Sequence, residues 1–99
     1  MSDKKREIQS HRNEIDRIKK FIEGRKHSIE SHKKSKSAVF ERYKSQIARA
    51  DKNDKSKLRD RKKHELENFA KQIESLKRDI NNFKDQISKQ RDYIARLKK

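Results

Sequence analysis

From Leu66 to Leu97 the chain keeps a spacing that alternates three and four residues without a slip. The positions are Leu66, Phe69, Ile73, Leu76, Ile80, Phe83, Ile87, Gln90, Ile94 and Leu97, and nine of the ten are apolar. An apolar stripe with this period is the seam of a coiled coil, because it lines one face of a helix over several heptads. A β-strand would instead need alternation every second residue.

The N-terminal half carries a weaker version of the same pattern. Ile8, Ile15, Ile22 and Ile29 recur every seven residues. Their partner positions are His11, Ile18, Arg25 and His32, so three of these four are polar. Past Ile29 the stripe is read as resuming at Phe40, followed by Tyr43, Ile47 and Ala50. The eleven-residue step from Ile29 to Phe40 is a stutter, which locally unwinds a left-handed supercoil.

The halves mirror each other. In an antiparallel pair, facing residues have numbers that add to a constant, and here that constant is 105. Ile8 then faces Leu97, Ile18 faces Ile87, Ile22 faces Phe83, Ile29 faces Leu76 and Ile15 faces Gln90. His11, Arg25, His32 and Lys36 fall opposite Ile94, Ile80, Ile73 and Phe69, leaving the seam polar on one side.

The mirror point lies in the stretch of poor helix formers that runs from Asp51 to Ser56. Asn53 suits a left-handed residue after the first helix, and Asp54 or Ser56 suits a cap on the second. The expected fold is all-α: a long antiparallel hairpin with a first arm over 3–50, a turn over 51–56 near Lys52 and Asn53, and a second arm over 57–98. Acid-first pairs four residues apart, such as Glu30 with Lys34 and Glu74 with Arg78, support the arms. A continuous helix pairing antiparallel with a second copy has the same register. It stays open because neither Gly nor Pro forces a break near residue 53.

The two-arm seam predicts association beyond itself, since a lone pair of helices buries little apolar surface. The residues expected to serve that seam or a partner's helices are the stripe from Leu66 to Leu97 without Gln90, together with Ile8, Ile15, Ile18, Ile22, Ile29 and Phe40. Phe21 joins them because it lies off the stripe and wants cover.

Composition matters most for charge. The chain has 99 residues, 31 of them Lys or Arg and 16 Asp or Glu, for a net charge of +15. The cations are unevenly placed. Residues 31–64 hold thirteen basic and four acidic groups, whereas residues 65–97 hold seven and six. This basic head comprises Lys33, Lys34, Lys36, Arg42, Lys44, Arg49, Lys52, Lys55, Lys57, Arg59, Arg61, Lys62 and Lys63. Such a concentration points to RNA or DNA backbone as the partner. Lys contributes 20 of the 31 cations, and its compact charge reads little geometry, so little sequence choice is expected. Cations near the start of a second helix would oppose its dipole, which suggests a bound phosphate there.

The alternative is a protein–protein module, an adaptor, assembly factor or chaperone-like subunit docking through the seam. A flat anionic-membrane binder is disfavoured, because no wide continuous apolar face lies beside a Lys-rich one. Catalysis is not expected. There is no Cys and no Gly-rich phosphate loop, and His11, His27, His32 and His64 lack the spacing of a zinc site. No cofactor, metal or small-molecule substrate is expected. With no secretory signal and no long apolar run, an intracellular location is expected.

Overall fold

A computed structural model describes residues 2–99. Two helices account for nearly all of it, α1 (Ser2–Arg49) and α2 (Lys52–Lys98), joined at Ala50 and Asp51 as a helical hairpin. Among the described residues no backbone φ is positive. Contacts divide the hairpin into a terminal unit, made of residues up to Lys26 with Lys77–Lys99, and a turn unit, His27–Leu76.

The turn is shorter than the sequence suggested and lies earlier. Asn53 is inside α2 and takes no left-handed conformation. The cap is Asp51, not Asp54 or Ser56. Its carboxylate Oδ1 accepts the Asp54 N–H at 3.0 Å, and its carbonyl accepts the Lys55 N–H at 2.9 Å. An aspartate in this position satisfies donors that the first turn of a helix otherwise leaves open. Ala50 closes the end of α1 by donating its N–H to the Ile47 carbonyl at 3.3 Å.

In the terminal unit the core is the expected stripe: Ile15, Ile18, Ile22, Ile80, Ile87 and Ile94 are buried, with Ile18 only 2% exposed. Residues that touch across the arms have numbers adding to between 101 and 108, bracketing the expected 105. The polar inner positions are better served than a strict one-to-one facing implied. His11 donates from Nδ1 to Gln90 Oε1 and stacks on Tyr93 at 5.3 Å between ring centroids. Arg25 reaches Asp79 at 3.3 Å and lies over the Phe83 ring at 5.6 Å. Side chains in a coiled coil enter holes between partner residues, so long polar groups reach neighbours one turn away.

In the turn unit Ile29, Tyr43 and Ile73 are buried. The heptad continues from Ile29 through Lys36 to Tyr43, with Val39 half-buried and Phe40 43% exposed. Phe40 is therefore not a seam residue, and the stutter does not fall before it. The break in period comes later. Val39, Tyr43, Ile47 and Ala50 step by four, four and three, and Leu58, Lys62, Leu66 and Phe69 do the same on α2. Each arm thus contributes an eleven-residue step near the turn, a period that locally unwinds a left-handed supercoil.

Within α1, ion pairs close over three residues: Glu14 with Arg17 at 2.6 Å, Glu23 with Lys26 at 3.7 Å, and Glu30 with Lys33 at 3.9 Å. Glu30 therefore pairs with Lys33, where the sequence suggested Lys34. All three pairs are exposed except at the half-buried Glu14, and each contributes less than ~1 kcal/mol.

Candidate nucleic-acid interface

All thirteen cations of the basic segment belong to the turn unit. The structure sorts them into different environments. Arg42 is engaged: its guanidinium donates to Glu65 Oε2 at 3.0 Å and covers the Tyr43 ring at 5.2 Å. Tyr43 donates its hydroxyl to the other oxygen of the same carboxylate, Glu65 Oε1, at 2.8 Å. Glu65 on α2 thus receives both α1 side chains and fixes one side of the seam. The hydrogen bond to Glu65 raises the Tyr43 phenol pKa above its ordinary value, and burial and the Glu65 charge add to the rise; Arg42 opposes it. Tyr43 is buried, so it serves the core and not a ligand.

Across the seam from this pair the arrangement differs. Lys44 on α1 and Arg59, Lys62 and Lys63 on α2 line one open groove with Phe40, Ile47 and Leu66. Among the described residues no carboxylate lines it. The positions follow from helical spacing. Phe40, Lys44 and Ile47 are four and three residues apart on α1, and Arg59, Lys62, Lys63 and Leu66 have matching steps on α2, so each set shares a face. Three apolar side chains and four cationic ones share the groove, and of the cations Lys44, Arg59 and Lys63 are exposed and form its rim. Lys62 places its Nζ 4.0 Å from the centre of the exposed Phe40 ring, within cation–π range.

The remaining cations are dispersed. Lys57 and Arg61 line a smaller groove with Ala50, Leu58 and Asp54, whose carboxylate offsets part of their charge. Lys33 lies near Glu30, while Lys36 and Lys55 are half-buried. Lys34, Arg49 and Lys52 are exposed and line neither groove. The start of α2 departs from the phosphate site suggested by the sequence. Asp51 and Asp54 bring negative charge to that helix end, and the Asp54 N–H is already bonded to the Asp51 carboxylate. The cations there complement aspartates, not an open helix dipole.

The groove depends on a residue the sequence reading placed elsewhere. The sequence pattern puts Phe40 in the seam, yet it is one of three large apolar or aromatic side chains exposed among the described residues, with Phe21 and Tyr93. The signal was present: counting sevens from Ile29 lands on Lys36 and Tyr43, which makes Val39 the inner residue and leaves Phe40 outside.

Among the described residues no group of three or more His, Cys, Asp or Glu is placed to hold a metal ion, and no helix is long and apolar enough to cross a membrane. Comparison with known proteins finds no match: no family model fits the chain, and no curated protein or solved structure is significantly similar to it.

Proposed function

We propose that this protein is a non-enzymatic coiled-coil hairpin that binds nucleic-acid backbone through its turn unit, with little choice of sequence. The observation that carries the reading is the groove of Lys44, Arg59, Lys62 and Lys63, which gathers four cations without a lining carboxylate. Like charges brought together in this way repel one another, and a polyanion relieves that repulsion while releasing its own counterions. Lys supplies three of the four, which favours phosphate as a point-charge target over base edges.

Fluorescence anisotropy with labelled oligonucleotides at about 0.05 and 0.2 M salt tests the reading. Binding should persist at submicromolar affinity at the higher salt. It should be lost when Lys44, Arg59, Lys62 and Lys63 are replaced by Gln. Retention by that variant would sink the proposal.

A second reading, a coiled-coil adaptor that self-associates or docks on partner helices, draws support from the terminal unit. Phe21 is 43% exposed and tilts against Phe83 at 5.6 Å between ring centroids. Sedimentation equilibrium would then report a species larger than one chain, and Phe21→Ser would return it to a monomer. A single-chain mass for the parent protein would remove self-association from this reading.

A further inference from the structure

We infer that the turn unit prefers single-stranded nucleic acid and that Phe40 is the platform on which a base stacks. This rests on the nucleic-acid reading above and adds the class of strand and the contact that selects it. The argument begins with the position of the ring. A Phe in a coiled-coil hairpin is ordinarily drawn into the seam by the area it buries. Here Val39 and Tyr43 take the inner positions, and the Phe40 ring stands in the cationic groove, 43% exposed.

Its surroundings suit a nucleotide more than an apolar partner. An apolar partner would have to bury four cations with no carboxylate in the groove to pair them, and an unpaired buried charge is heavily penalised. A nucleotide meets both parts of the surface at once. Its base has a π-face for the ring, and its phosphates have charge for the rim.

Lys62 is placed to serve both parts of the surface. Its ammonium sits over the ring at 4.0 Å. When a base takes the ring, the flexible Lys62 stem lets the charge turn to the adjoining phosphate. Duplex DNA offers phosphates but keeps its bases stacked on one another, so it engages the rim and leaves Phe40 unused. A strand preference follows without any base-specific hydrogen bond.

The chain has no Trp, so Phe40→Trp provides a sole tryptophan, excited selectively over Tyr43 and Tyr93, at the proposed platform. Its emission should be quenched by a single-stranded oligonucleotide. It should stay largely unchanged with duplex of equal phosphate content or with heparin. Phe40→Ala, checked for parental helicity by circular dichroism, should weaken single-strand binding about tenfold, within the range for losing one base–aromatic stack. Duplex binding should change less than twofold. Phe40→Leu, which keeps apolar bulk without a π-face, should behave like Phe40→Ala.

If the parent protein binds both strands equally and Phe40→Ala alters neither, stacking is overturned while backbone binding stands. Equal quenching by duplex and heparin likewise overturns it in favour of simple polyanion contact. If the parent protein binds no oligonucleotide, this inference and the proposed function fall together.

Discussion

Gly24 offers a quantitative check on how α1 is held. It lies in the interior of a 48-residue helix and is exposed. A Cβ built there would meet no heavy atom within 4 Å, and its φ is not positive. Neither steric crowding nor backbone conformation therefore requires glycine, and Gly24→Ala removes the propensity penalty without creating a clash. That penalty is about 1 kcal/mol in a helix interior, reflecting the larger backbone freedom glycine loses on folding. An exposed methyl adds little burial, so the whole effect should be of this size. For a chain of this length about 1 kcal/mol corresponds to a rise of roughly 4–8 °C in melting temperature. Thermal unfolding followed by helical ellipticity, on matched samples at one concentration, measures it. An unchanged or lowered melting temperature would refute the reasoning. It would mean that something outside the single chain packs closely against Gly24.

Three further outcomes test other parts of the structure. Asp51→Ala should cost about 1 kcal/mol in chemical denaturation through loss of the cap, and Asp51→Ser should recover most of it. Tyr43→Ala should cost about 3–5 kcal/mol as a buried aromatic, whereas Phe40→Ala should cost only about 1 kcal/mol; equal costs would contradict the placement of the seam. The pH effect at Tyr43 has a definite sign. Its folded-state pKa is raised above the ordinary 10.0, so the contribution to stability is fully present below about pH 10 and is lost as pH rises through the folded value. With Tyr93→Phe as background, phenolate absorbance should titrate above 10 and fall back toward it in Glu65→Gln; a midpoint unaffected by Glu65→Gln would disprove the assigned cause.

The hairpin and its register were legible because coiled-coil seams repeat over many residues, so each heptad confirms the last. Ile15, Ile18, Ile22, Ile80, Ile87 and Ile94 could be placed inside from spacing alone. The turn was less legible. The sequence offers Asp54 or Ser56 as the cap, but Asp51 suits the role equally by residue type, and the choice depends on where α1 stops, which the bond from Ala50 to Ile47 decides. The groove was hardest to read. The thirteen cations were visible as a composition, but their sorting depends on which side of the seam each occupies. A one-residue ambiguity between Val39 and Phe40 decided whether the aromatic was core or surface. Hydrophobicity favours Phe40 for the inside, and only the heptad phase set by Ile29, Lys36 and Tyr43 overrides it. The Tyr43–Glu65–Arg42 contacts had no sequence signature, since they join residues more than twenty positions apart across the arms.

The most direct test of the central claim compares two removals of equal charge. One variant replaces Lys44, Arg59, Lys62 and Lys63 of the turn-unit groove with Gln. The other replaces Lys19, Lys26, Lys84 and Arg91, which line a groove of the terminal unit together with Glu23. Both lower the net charge by four, so a response to overall charge alone would be the same in each. The measurement is the slope of log affinity for a single-stranded oligonucleotide against log salt concentration, in which each phosphate neutralised contributes about 0.7. The account predicts that the turn-unit variant loses close to 3 from the slope while the terminal-unit variant keeps nearly all of it. Equal losses in the two variants would contradict it, leaving the charge of the turn unit as a solvated surface with no site.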